Sequence, residues 1–205
     1  MKLYIVRHGN TPSQPALAEL HDPPLSELGH KQAQALAQRL KDVCFDRIYT
    51  SPLQRCVATA GYVNAIQGTQ AQIVNAMLEK GTKANDCGLP FSCLLHLCGF
   101  LCENRLTEYA CGLPDTETDE QVLARAKSVI RYVRHEHTDE STVLLVAHGT
   151  FNNFLIHAAL DFPLREHFNF SQDNTGLTLV EYLEDHGQAH TKLRFMNDTA
   201  HLKDL

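Results

Sequence analysis

The chain contains no tryptophan, and only 7% of its 205 residues are aromatic. With 11 Gly and 8 Pro it is too poor in both for a collagen-like or low-complexity chain. Basic residues are short as well: 18 Lys and Arg stand against 24 Asp and Glu, a formal net charge of −6 with His neutral. Sequence-independent nucleic-acid binding needs a basic footprint, and none is expected here. Long apolar runs are also missing. The most apolar stretch, Phe91 to Cys102, contains His96 and falls short of the roughly 20 residues a membrane-spanning helix needs. The opening Met1-Lys2-Leu3-Tyr4-Ile5-Val6 is interrupted by Arg7, too early for a signal-peptide core, so a cytoplasmic protein is expected. Seven cysteines contain no Cys-x-x-Cys pair, and an odd count without an export signal reads as thiols, not a disulfide framework.

What is present is 43% hydrophobic and long enough to bury a substantial core. Short β-rich runs alternate with stretches of helical period, the pattern of an α/β domain with a mostly parallel sheet. Strands are expected at Leu3–Val6, Arg47–Tyr49, Ile73–Val74 and Thr142–Ala147, then at Leu177–Leu183 and Lys192–Met196 as a hairpin across a polar loop. Ser26 is a helix cap ahead of Ala33, Leu36, Ala37 and Leu40, spaced i, i+3, i+4, i+7. Helices are also expected through Val57 and Ala60, from Thr118 to His135, and through Phe151, Phe154, Leu155 and Ala158. No period holds between Glu79 and Pro114. No repeat or linker divides the chain, so residues 1–205 read as one domain.

In parallel sheets ligands bind beyond the carboxyl ends of the strands. Arg7-His8-Gly9 follows the first strand directly and His148-Gly149 follows the Thr142–Ala147 strand. Arg55 comes shortly after the strand ending at Tyr49. Two imidazoles and two guanidiniums are thus expected on one rim.

The blocks Arg7-His8-Gly9-x-Thr11, Leu25-Ser26-x-x-Gly29-x-x-Gln32-Ala33, Tyr49-Thr50-Ser51-Pro52-Leu53-x-Arg55, Thr59-Ala60, Glu79 and Ala147-His148-Gly149 together resemble the histidine phosphatase superfamily. The branch they resemble is the one that includes the cofactor-dependent phosphoglycerate mutases. The resemblance covers about residues 1–80 and 115–183. It implies a three-layer α/β/α sandwich and a phosphatase that hydrolyses a small phosphomonoester through a phosphohistidine at His8. It further implies that Arg7 and Arg55 clamp the phosphoryl oxygens, where the guanidinium fork suits phosphate better than an ammonium. His148 would donate to the same group, as would Thr11, Gln14 (where the family often has Asn) and Thr150. Glu79 matches the acid that protonates the leaving oxygen and then activates water. The following Lys80-Gly81-Thr82-Lys83 departs from the family pattern, which leaves Glu108 and Glu103 as alternative carboxylates.

No cofactor or metal is implied, because fixed cations supply the charge. The expected partner is a small phosphorylated substrate, with neither nucleic acid nor membrane, and a homo-oligomer is compatible with the sequence. A phosphoglycerate mutase is the enzymatic alternative, disfavoured because residues 81–115 carry only Lys83 and Arg105 as basic groups. In the family this stretch, about residues 80–115, forms a cap over the pocket. It also holds Cys87, Cys93, Cys98, Cys102 and Cys111 near His96, which read as apolar packing or, alternatively, as metal ligands. A catalytically silent metal- or protein-binding module is the non-enzymatic alternative.

Overall fold

A computed structural model describes residues 1–12, 22–82, 88–99, 101–103, 117–164 and 169–205. Among the described residues seven strands form one sheet: β1 (Lys2–Arg7), β2 (Arg47–Thr50), β3 (Ala71–Ile73), β4 (Leu101–Glu103), β5 (Thr142–Ala147), β6 (Leu177–Asp185) and β7 (Gln188–Asp198). Their order is β4-β3-β2-β5-β1-β6-β7. The first five are parallel, and β6 and β7 close the sheet as an antiparallel pair.

The central strands are apolar on both faces because helices cover both. On one side lie α1 (Glu27–Arg39), α2 (Gln54–Gln67) and the short α3 (Phe91–Leu94), with Leu36, Val57 and Val63 packed against Val6, Ile48, Leu144 and Val146. On the other lie α4 (Asp119–Glu136) and α5 (Gly149–Ala159), whose Val122, Ala126, Val129 and Phe151 meet Leu3, Ile5, Val143 and Leu145. Successive residues of β5 therefore enter opposite layers, as the two-residue period of a strand requires. The expected three-layer α/β/α sandwich is the observed one.

Local chemistry accounts for the helix ends. The Ser26 hydroxyl accepts the Gly29 N–H at 3.0 Å. Thr118 and Gln121 form a reciprocal capping box at the start of α4.

Two features differ from expectation. Part of the aperiodic stretch builds the sheet edge: β4 pairs with β3, while Leu94, Cys98 and Leu101 are buried against α2. Elements of three or four residues are too short to show a period. The hairpin strand β7 runs well beyond Lys192–Met196, its mostly exposed residues having hidden it in polar composition. It joins β6 through His186 and Gly187, both at positive φ (49° and 76°), the backbone of a tight two-residue turn.

The register of β1 on β5 sets up the site. Lys2 pairs with Thr142 and Arg7 with Ala147, so the two strands finish level. His8 and His148 then emerge side by side, their ring centroids 5.3 Å apart.

Candidate active site

His8 is buried, and its Nδ1 lies 2.8 Å from the Gly9 carbonyl. A carbonyl only accepts, so Nδ1 carries the proton and Nε2 keeps the free lone pair. Burial, reinforced by the Arg55 guanidinium, lowers the His8 pKa to about 3. The imidazole is therefore neutral at physiological pH, the form a nucleophile needs.

Several residues from the sequence blocks hold the loop that carries it. The Gly9 N–H donates to Thr59 Oγ1 at 3.0 Å, and the Asn10 N–H to Gln32 Oε1 at 2.8 Å. Ser26 donates its hydroxyl to Asn10 Oδ1 at 2.7 Å. A Cβ on Gly9 would stand 2.6 Å from the Gly29 carbonyl oxygen, and one on Gly29 only 2.0 Å from that of Asn10. Both positions exclude a side chain because loop and helix backbones touch. From the other side, Asn174 donates to the His8 carbonyl at 2.9 Å.

Arg55, on the first turn of α2, is a hub. Its Nε donates to His8 Nε2 at 3.3 Å, Nη2 to His148 Nδ1 at 3.3 Å, and Nη1 to Asp22 Oδ1 at 3.2 Å. Asp22 also accepts the Gln54 N–H at 2.9 Å, tying the start of α2 to Arg55. Burial raises the Asp22 pKa, against the pull of the Gln54 N–H and Arg55.

His148 is fully buried, and burial together with Arg55 holds its pKa well below the usual histidine value. Since Nδ1 accepts from Arg55, Nε2 carries the proton and donates to Ser51 Oγ at 2.8 Å. Both ring nitrogens are thus engaged inside the protein.

Arg7 donates from Nη1 to the Gln172 carbonyl at 3.0 Å, while its buried Nε has no partner among the described residues. The guanidinium lies against Gly149, where a Cβ would come within 3.2 Å of Nε. Among the described residues no ion pair involves Arg7, so its charge is uncommitted in a way that of Arg55 is not.

Glu79 follows a 3₁₀ turn, Asn75–Met77. Its carboxylate accepts the Phe151 N–H at 2.8 Å and the Thr150 N–H at 3.2 Å, seating it on the positive end of α5 next to His148. Arg7 and Glu79 share a cleft of about 340 Å³, also lined by Thr150, Asn153, Phe170 and Gln172.

The structure therefore brings Arg7, His8, Arg55, His148 and Glu79 onto one rim. Thr150 gives its backbone N–H to Glu79, so its hydroxyl is the group left to meet a ligand. Thr11 is half-buried just past the His8 loop, and Gln14 lies outside the described residues. Of the alternative carboxylates, Glu103 sits on the edge strand β4, paired with Ile73, and Glu108 lies outside the described residues. Cys98 packs in the core and Cys93 is exposed, whereas Cys87 and Cys111 lie outside the described residues. Among the described residues no three His, Cys, Asp or Glu side chains converge as a metal set.

Sequence reasoning missed Asp22, the partnership of Ser51 with His148, and Asn174. All three act across long sequence separations, and only the Asp22-Pro23-Pro24 turn before Ser26 offered a local signal. A larger groove of about 910 Å³ lies at the opposite ends of the strands, beside Met1, Arg131 and Tyr182, and holds none of these residues.

A family model described as histidine phosphatase superfamily (branch 1) matches residues 3–197. Phosphoserine phosphatase 1 of Hydrogenobacter thermophilus is 28% identical over 219 residues, covering 100% of this chain and 96% of that protein. An uncharacterised phosphatase, PhoE, of Bacillus subtilis is 31% identical over 159 residues, covering 76% of this chain and 74% of that one. Among solved structures, a mycobacterial glucosyl-3-phosphoglycerate phosphatase in complex with VO3 superposes with a TM-score of 0.68 at 25% identity, over 97% of this chain and 99% of that one.

Proposed function

Since this chain belongs to the histidine phosphatase superfamily (branch 1) and is a phosphatase of small phosphoesters, we propose that it works by double displacement at His8 with no metal. The observation that carries this reading is the state of His8: neutral, protonated on Nδ1, with Nε2 held 3.3 Å from the Arg55 guanidinium.

In the first step His8 Nε2 attacks phosphorus as the ester P–O bond breaks. Glu79, entering as the carboxylic acid, gives its proton to the departing alkoxide, and the alcohol leaves. In the second step the Glu79 carboxylate takes a proton from water, whose oxygen attacks phosphorus while the P–N bond breaks. Inorganic phosphate departs, with His8 neutral and Glu79 protonated again. The Nδ1–H stays on the Gly9 carbonyl throughout and disperses the charge on the ring while it is phosphorylated.

Arg7 and Arg55 supply the positive field. The unpartnered Nε of Arg7 is a donor in search of an acceptor. Arg55 must release its hydrogen bond to Nε2 before attack, and an arriving phosphoryl oxygen is the stronger acceptor. His148 supports the same group by orienting Arg55 through Nδ1, and a direct hydrogen bond to phosphate requires its Nε2–H to leave Ser51. Thr11, Gln14 and the Thr150 hydroxyl complete the proposed set of phosphate contacts.

The substrate is a small phosphomonoester, with phosphoserine the first to test because of the named relatives. A mutase reading is disfavoured by the relatives, which are phosphatases. Rapid quench during turnover tests the mechanism. A phosphoenzyme labile in acid and stable in base should appear, and His8→Ala should abolish it together with turnover. Trapping an undiminished phosphoenzyme in His8→Ala would refute the assignment.

A further inference from the structure

Arg125 lies on α4 with its side chain 1% exposed, and nothing in the phosphoryl-transfer chemistry calls for it. Its Nη1 donates at 2.8 Å to the carbonyls of both Ala76 and Leu78, the residues that lead into Glu79. Its Nε and Nη2 form a bidentate pair with the buried Glu117 carboxylate, at 2.9 and 2.6 Å. The guanidinium also stacks 4.4 Å from the Phe151 ring centroid, and Phe151 is the residue whose N–H binds Glu79 Oε1. One side chain thus grips the backbone entering Glu79 and the helix start that receives its carboxylate. On the other side of Glu79, Lys80 pairs with Asp119 at the head of α4, the helix that carries Arg125.

From this geometry we infer that Arg125, held by Glu117, is a positioning residue for the proton-transfer carboxylate Glu79. A buried arginine with a well-matched carboxylate is a costly device for stability alone, since apolar side chains of similar volume often do as well. Its donors reach two carbonyls that no regular element satisfies, because Asn75–Met77 is a single turn. A lysine has neither the span nor the planar fork to make all four contacts. The carboxylate is fixed against α5 and its backbone against α4, so its distance to the leaving oxygen is set by the α4–α5 packing and not by the loop.

The inference rests on Glu79 being the general acid, and the test separates the two claims. Single-turnover phosphorylation would be measured with a nitrophenyl phosphate, whose leaving group barely needs a proton, and with an alkyl phosphate such as phosphoserine. The readout is the ratio of the two rates, which the fraction of folded enzyme does not affect. Glu79→Gln should raise the ratio in favour of the nitrophenyl ester. Arg125→Met should raise it too, by about 10²-fold, the usual cost of a small misplacement of a catalytic group. Arg125→Lys should give a smaller rise, and in a Glu79→Gln background Arg125→Met should leave the ratio unchanged. If Arg125→Met does not fold, Glu117→Gln, which frees the guanidinium while keeping its neighbours' volume, should raise the ratio as well. A ratio that moves in Glu79→Gln but not in the Arg125 or Glu117 variants overturns the positioning role and leaves the acid intact. A ratio unmoved in Glu79→Gln removes the acid assignment, and this inference with it.

Discussion

Acidification provides a quantitative check on the state of His8. In the folded protein its pKa is about 3, against 6.5 for an ordinary histidine, chiefly because burial penalises the imidazolium and Arg55 adds like-charge repulsion. The unfolded chain therefore binds this proton first, and stability falls as pH drops through 6.5 and continues to fall until about 3. Above 6.5 neither state is protonated and the effect is absent. At about 1.4 kcal/mol per pH unit, the whole window is worth about 5 kcal/mol. The step from about pH 7 to about pH 5 is worth about 2 kcal/mol. His8→Gln substitutes a neutral side chain of similar polarity and removes the titration. Urea unfolding of both proteins in phosphate-free buffer, at each pH, gives the comparison. The wild type should lose about 2 kcal/mol more than His8→Gln on acidification. His148 titrates in the same direction but is present in both proteins and largely cancels. Equal losses, within about 0.4 kcal/mol, would mean that His8 is solvated or paired in solution. The claim that it waits as a neutral nucleophile would then fail.

Other perturbations probe the remaining parts of the site. Under the proposed mechanism Arg55→Ala removes a cation from beside His8 Nε2 and should slow phosphorylation of His8 by about 10²–10³-fold. A change below tenfold in stopped-flow assays would show that Arg7 suffices. Gly29→Ala places a methyl where only 2.0 Å separates the Cβ from the Asn10 carbonyl oxygen. Thermal unfolding should report a loss of about 1–3 kcal/mol, and because the displaced segment adjoins His8, activity per folded molecule should fall too. Asp22→Ala should cost about 0.5–2 kcal/mol as the lost cap of α2. It should also raise KM by freeing Arg55 from its fixed orientation, and an unchanged KM would limit Asp22 to a structural role. Prolonged EDTA treatment should leave phosphate release unaffected, and recovery only on adding zinc or magnesium would overturn the metal-free mechanism.

Much of the architecture was legible because it depends on local pattern. The continuous apolar run from Val143 to Ala147 reads as a strand covered on both faces, and the i, i+3, i+4, i+7 residues from Ala33 to Leu40 read as one face of α1. The rim positions of Arg7, His8 and His148 follow from their places directly after strands. The stretch from Glu79 to Pro114 was not legible. There β4 and α3 are three and four residues long, and they are held by pairing with β3 and burial against α2 more than by any preference of their own.

The amino-acid sequence by itself determined which groups are available: two strand-end histidines, two arginines, and a carboxylate at position 79. Tertiary structure decided what each group does. It put the proton of His8 on Nδ1 by offering a carbonyl 2.8 Å away. It gave Arg55 a carboxylate partner from a loop 33 positions earlier in the chain and left Arg7 without one among the described residues. It also turned the first N–H groups of α5 toward Glu79 and set Arg125 beneath it. A protonation site, a hydrogen-bond direction or a buried charge depends on which atoms lie within a few ångströms. That proximity is created only when β1 and β5 align and the helices close over them.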